Sequence, residues 1–194
     1  MQITVIHTAV LLAAVIAAAA LLALRPRRGR ASRRRHARNI RKASGILDMF
    51  SREGFAPGQA IAYLRKVSPY VFEEVILSAF ERKGCGVERN RRYSGDGGCD
   101  GRIRSGKETL LLQCKRYRGH VSRRHVAEFA ELCAAQGRRG VFLHTGRTGK
   151  GSLDAVRTGA GRVDIVSGRR LACLVLPGKE GEFTLFNHKK SHQR

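Results

Sequence analysis

Apolar positions along the chain fall into runs of two different periods, and these runs lay out the fold. Residues Ile3 to Leu24 carry no Asp, Glu, Lys or Arg. At about 1.5 Å per residue a helix of that length reaches ~33 Å, enough to cross a bilayer core. Basic residues follow the run instead of preceding it, the reverse of a secretory leader, so an uncleaved anchor is expected. A cleaved signal peptide and a buried core helix are the weaker alternatives. Next, Ile46–Phe50 and Ala60–Leu64 flank the turn Gly54-Phe55-Ala56-Pro57-Gly58 and predict two short helices. They lack the basic face of a helix-turn-helix DNA reader and are read as a cap. Ser68-Pro69 then opens an amphipathic helix with Val71, Phe72, Val75, Ile76, Ala79 and Phe80 on one side, ending at Gly84.

Beyond Gly84 the pattern becomes that of strands. Gly86–Arg89, the region around Ile103, the run Thr109–Lys115, Gly140–His144 and Val163–Val166 are each expected to be one. Between them a helix is predicted from about Ser122 to Gln136, with Val126, Phe129, Ala130, Leu132 and Cys133 at helical spacing. A short helical Leu171–Leu174 follows, and Phe183–Phe186 is expected to form a last strand before a basic tail. The order, helix, three strands, helix, strand, describes a mixed α/β layer fold without internal repeats.

Charge adds a partner class. Lys and Arg number 38 against 15 Asp and Glu, a formal net charge of +23, so a polyanion is expected, nucleic acid or anionic lipid. Between Arg25 and Lys42 there is no acidic residue at all. Such a block is expected to be disordered until it meets an anion, and to hold everything after it in the cytoplasm. Each Lys or Arg kept near anionic headgroups contributes about 1 kcal/mol of membrane affinity. The 5 cysteines are odd in number and contain no Cys-x-x-Cys, which argues against a disulfide framework or a zinc knuckle. They are read as reduced core residues, with a redox role for Cys99 and Cys114 as the minor alternative.

The candidate chemistry sits in Tyr93-Ser94-Gly95-Asp96-Gly97-Gly98-Cys99-Asp100-Gly101 and in Gln113-Cys114-Lys115-Arg116-Tyr117. Glycines let the backbone turn tightly and present Asp100 at a strand edge, while Asp96, early in the turn, suits a loop-bracing role. Strand alternation puts Gln113 and Lys115 on one face and Cys114 on the other. An acid, an amide oxygen and an ammonium thus converge, the set needed for metal-dependent phosphodiester cleavage. A structural Asp100–Lys115 ion pair is the plain alternative. Arg116, Tyr117, Arg118, Arg123 and Arg124 follow closely and are expected to grip phosphates; Arg147, Thr148 and Lys150 form a Gly-rich basic loop that could do the same.

Gly-Asp-Gly-Gly-x-Asp-Gly, then Gln-x-Lys-Arg-Tyr, then an apolar strand ending His144-Thr145-Gly146 resembles the Mrr-type endonucleases of the restriction-endonuclease-like superfamily, over about Pro69 to Leu176. The resemblance implies that core fold (α-β-β-β-α-β, a mixed sheet flanked by helices), here preceded by one transmembrane helix. It also implies a glutamate on the first core helix facing the site, which singles out Glu73; a helix-dipole role is equally open for Glu73 and is the expected one for Glu74. Magnesium or another divalent cation would be held by Asp100, the Gln113 side-chain carbonyl and the Cys114 backbone carbonyl, with Lys115 orienting water and stabilising the charged transition state. The wider superfamily usually has a glutamate at the Gln113 position, so weaker metal affinity is expected.

The expected organisation is an anchor (1–24), a basic cytoplasmic linker (25–43), a helical cap (44–67), the catalytic domain (68–178) and a C-terminal strand and basic tail (179–194). The expected protein is an inner-membrane, single-pass, magnesium-dependent endonuclease of double-stranded DNA with its catalytic domain in the cytoplasm. Action on foreign or modified DNA is what the resemblance implies. A non-catalytic, membrane-tethered DNA-binding protein and a junction-resolving or repair nuclease are the alternatives, the junction resolver implying a homodimer.

Overall fold

The computed structural model describes residues 2–90, 98–158, 162–178 and 183–185. The chain divides into two units, Met1–Arg38 and Asn39–Arg194. Helix α1, Gln2–Glu53, supplies the first unit and the start of the second. The basic stretch expected to be disordered is therefore helical. Arg, Lys and Ala lose little on entering a helix, and the helix is anchored in the second unit by buried Asn39, Ala43, Ile46, Leu47 and Phe50, which recur every three to four residues as a packed helical face does. Among the described residues no helix is long and apolar enough to cross a membrane. Of the span 3–24, side chains are described only at His7 and at 10–20.

Of the two short helices expected around Gly54, the first is the end of the long α1 and the second is α2, Pro57–Leu64; both pack into the main core, with the Phe50 and Phe55 ring centres 4.9 Å apart. α3, Pro69–Arg82, begins as its sequence predicts: the Ser68 hydroxyl accepts from Val71 N at 3.3 Å, and Gly84, at φ +82°, ends it. Strands β1 (Gly86–Arg89), β2 (Gly101–Ser105) and β3 (Glu108–Lys115) form an antiparallel meander. β4 (Gly140–His144) and β5 (Val163–Val166) continue it in parallel, giving a five-stranded mixed sheet in the order β1-β2-β3-β4-β5. α4 (Arg123–Ala135) connects β3 to β4, α5 (Lys150–Thr158) connects β4 to β5, and α6 (Gly168–Val175) follows β5.

Alternation along β3 builds two cores. Leu110, Leu112 and Cys114 belong to the core shared with α1, α2, α3 and α6. Leu111 joins Val126, Phe129, Ala130 and Cys133 of α4 and Ala155 of α5 in the other. At Gly140 an added methyl would lie 2.3 Å from Cys133 Sγ and 2.7 Å from Phe129 Cε1, so only glycine lets α4 seat against β4.

Two expectations fail here. Lys150 is not in a loop but begins α5, whose Gly-rich sequence and few apolar positions hide its helical period; its buried residues are only Ser152 and Ala155. Phe183–Phe186 is not a strand in its described part: Phe183 packs edge-on against Phe80 at 5.9 Å, and the Thr184 carbonyl accepts from Arg170 at 2.8 Å. Its backbone is used to tie a segment to α6 instead of extending the sheet. Phe186 and the basic tail lie outside the described residues, as does the glycine loop from Tyr93 to Gly97, Asp96 included.

Candidate active site

Asp100 enters β2 at the point where the β2–β3 ladder carries it beside the end of β3. Gly101 pairs with Leu112, so one step further Asp100 stands opposite Gln113 and shares its face of the sheet. The ladder holds it firmly: Asp100 N donates to Leu112 O at 2.8 Å, and Asp100 Oδ2 accepts from Cys114 N at 2.7 Å. Before it, Gly98 takes φ +87°, and Cys99 is buried with its thiol donating to Gly101 O at 3.0 Å. An Asn90 side-chain N–H donates to Cys99 O, bracing the approach.

Gln113 is only 8% exposed, and its Oε1 is buried without a hydrogen-bond partner among the described residues. Leaving a buried acceptor unmade costs about 1–3 kcal/mol. A buried amide oxygen that is kept open beside a carboxylate fits the oxygen-donor preference of a hard divalent cation. Among the described residues no group of three or more His, Cys, Asp or Glu is gathered for a metal.

Lys115 is half-buried, on the same strand face as Gln113, and makes no ion pair among the described residues. The plain alternative of an Asp100–Lys115 pair is therefore not what the structure contains. Near Lys115 lies Glu128 of α4, an exposed carboxylate held below its ordinary range first by its hydrogen bond from Arg124 and also by the charges of His125 and Lys115. Glu73 comes from α3 and is half-buried. The Cys114 thiol is pushed well up by burial, and further by the negative charges of Asp100, Glu73 and Glu74, which places Glu73 at this end of the sheet. Glu74 points elsewhere. It is 1% exposed and binds Arg89 Nε of β1 at 3.1 Å, so it is a strut between helix and sheet, not a dipole-stabilising surface acid.

Of the five residues expected to grip phosphate, two are turned towards the protein. An Arg116 N–H donates to Arg65 O at 2.9 Å, and Tyr117 is bonded to Thr145 and His125. Arg118, Arg123 and Arg124 are exposed, Arg124 in a surface pair with Glu128 at 2.7 Å. Arg65 in turn donates to Thr145 O at 2.8 Å, so the segment after β3 is laced to the end of β4. The His144-Thr145-Gly146 pattern marked this corner, but nothing in the sequence pairs it with Arg65, which stands 80 residues earlier.

His144 is fully buried at the end of β4, next to Lys115 in the ladder. Gly146 N donates to its Nδ1 at 3.2 Å, so Nε2 carries the proton and donates to Thr148 Oγ1 at 3.0 Å. Burial lowers its pKa from 6.5 to about 4. The unfolded chain takes up this proton near 6.5 and the folded one only near 4, so the contribution is complete above the unfolded value. It is lost as pH falls between the two values, by about 3 kcal/mol in all. Urea midpoints recorded from pH 7 to pH 4 are expected to fall for the parent chain and to fall less steeply for His144→Gln.

Residues 64–175 match the Mrr catalytic-domain family, described as restriction endonuclease. The chain is 32% identical over 131 residues to the type IV methyl-directed restriction enzyme EcoKMrr of Escherichia coli strain K12, covering 63% of this chain and 43% of that protein. Among solved structures it is similar to MspJI restriction endonuclease in complex with a 27-mer oligonucleotide, at 25% identity and a TM-score of 0.42, covering 54% of this chain and 27% of that one. It is also similar to Pyrococcus furiosus SfsA in complex with Ca2+, at 19% identity and a TM-score of 0.33, covering 50% of this chain and 54% of that one. The chain thus spans less than half the length of its curated relative.

Proposed function

We infer, because the chain belongs to the Mrr catalytic-domain family of restriction endonucleases, that it hydrolyses phosphodiester bonds of double-stranded DNA with the help of magnesium or another divalent cation. The observation that carries this reading is the buried Gln113 Oε1 opposite Asp100, which has no hydrogen-bond partner among the described residues, with the Lys115 ammonium two residues on and likewise in no ion pair among them. Asp100, Gln113 and the Cys114 carbonyl are the groups that would hold the cation. A divalent cation there supplies charge neutralisation at the scissile phosphate and a bound water of lowered pKa. Lys115 orients the attacking water and stabilises the charge that grows on the phosphate oxygens. Glu73 adds negative charge from α3 and makes up in part for the amide at Gln113. Arg118 and Arg123, both exposed, hold the duplex by its backbone.

With an amide in place of a carboxylate at Gln113 the cation site is weakened, and Gln113→Glu is expected to tighten magnesium binding about tenfold, since affinity follows ligand charge. Calorimetric titration of the protein without DNA reads this directly. For the activity, the full-length chain in detergent is incubated with a linear duplex, with magnesium and then with a chelator. Cleavage confined to the magnesium sample supports the endonuclease. Tight binding without cleavage of duplex, single-stranded and branched DNA leaves the tethered DNA-binding alternative.

The membrane part of the proposal rests on residues 3–24. Val10, Leu11, Leu12, Val15 and Ile16 are 59–67% exposed on α1, a density of bare apolar surface that water does not favour. The Arg-rich stretch that follows would lie at anionic headgroups on the cytoplasmic side of the inner membrane. Foreign or modified DNA is the substrate proposed by analogy with the methyl-directed relative.

A further inference from the structure

Just past Lys115 the chain is clamped more tightly than Asp100, Gln113 and Lys115 themselves need. Tyr117 N donates to Thr145 Oγ1 at 3.0 Å, and that hydroxyl donates back to Tyr117 O at 2.9 Å. A methyl at Gly146 would stand 2.6 Å from Tyr117 Cβ and 2.4 Å from Gly119 O, so the two segments touch through a glycine. The phenol ring rests edge-on against His144, with ring centres 6.1 Å apart at 89°.

The Tyr117 hydroxyl so fixed lies in the first turn of α4. It hydrogen-bonds His125 Nδ1. With the phenol as the donor, the neutral imidazole carries its own proton on Nε2. His125 is half-buried, and Nε2 has no partner among the described residues. The ring's support stands near Lys115: Tyr117 follows it by two residues and packs on His144, the ladder partner of Lys115. A ring on a braced support two residues past Lys115, with its outer nitrogen open, has the form of an anion contact.

We propose that His125 is a substrate-binding residue whose Nε2–H donates to a non-bridging oxygen of the DNA phosphate served by Lys115 or of its neighbour, with Tyr117 as its positioning residue. The inference deepens the DNA-endonuclease reading and rests on it for the identity of the anion. With Tyr117 donating to Nδ1, Nε2 is the nitrogen that bears the hydrogen offered to the phosphate. It also explains why Tyr117, in a basic run, is turned inward: its hydroxyl aims a donor instead of being one.

The test uses the full-length chain with His125→Ala, His125→Gln and Tyr117→Phe, and reads duplex affinity in chelator alongside cleavage kinetics in magnesium. A hydrogen bond to a charged partner predicts about tenfold weaker duplex binding for His125→Ala, with KM raised by a similar factor and kcat nearly kept. His125→Gln, which retains an N–H donor, recovers most of the affinity, and Tyr117→Phe loses about threefold. Unchanged affinity and KM in His125→Ala, while the parent chain cleaves, overturns the proposal and leaves the endonuclease standing. A parent chain that binds but never cleaves, together with an affinity loss in His125→Ala and recovery in His125→Gln, supports the contact and removes the endonuclease. Equal losses in His125→Ala and His125→Gln, with lowered melting temperatures, show a structural role and overturn it.

Discussion

Lys115→Ala is expected to lower the single-turnover rate of DNA cleavage by about 10³-fold, while duplex affinity changes by no more than about threefold. The ammonium stands on the face of β3 that carries Gln113 and is not committed to any carboxylate among the described residues. It is therefore available to the reacting phosphate, and its removal takes away charge stabilisation that matters most in the transition state. The contrast between rate and affinity separates this role from that of an ordinary phosphate grip. An Arg118→Ala change, at an exposed position after β3, should weaken binding and flatten its salt dependence instead. Rapid-quench kinetics with saturating protein, paired with equilibrium binding in chelator, resolves the two.

Glu74→Ala is expected to destabilise the catalytic unit by about 3 kcal/mol. Glu74 is nearly fully buried on α3, and its carboxylate meets Arg89 Nε of β1 at 3.1 Å. Arg89 also reaches the exposed Glu81 at 2.8 Å and Ser78 at 3.2 Å, so the guanidinium keeps two partners and the loss falls at the low end for a broken buried pair. Glu81→Ala serves as the control. Its carboxylate is more than half exposed, and its removal should cost less than about 1 kcal/mol. Urea unfolding of both variants measures the difference, and equal small shifts would show that the Glu74–Arg89 strut carries little of the stability.

Much of this architecture can be read from residue order because its strands are short apolar runs with sharp ends. Gly140–His144 and Val163–Val166 match their predicted bounds, and Ser68 caps α3 as its side chain requires. The proximity of Asp100 and Gln113 follows once β2 and β3 form a tight hairpin through Gly106. What the sequence hid depends on tertiary partners. Glu74 looks like a helix-surface acid until β1 brings Arg89 across the sheet. Arg116 looks like a phosphate grip until the Arg65 carbonyl, far away in the chain, takes its N–H. His125 sits among basic residues of α4 without any pattern of its own, and only the fold gives it Tyr117. The basic stretch of α1 departs from expectation for another reason: charge repulsion argues for disorder, but good helix formers joined to a buried helical face decide otherwise.

The most direct test of the central claim is the conversion of supercoiled plasmid, methylated and unmethylated, to nicked and linear forms by the full-length protein, beside Asp100→Ala. The predicted result is magnesium-dependent conversion that is lost in Asp100→Ala, with methylated plasmid preferred if the likeness to the methyl-directed relative extends to substrate choice. Conversion that persists undiminished in Asp100→Ala, or its absence from the parent protein with either plasmid while DNA is still bound, would contradict a metal-dependent endonuclease built on Asp100, Gln113 and Lys115.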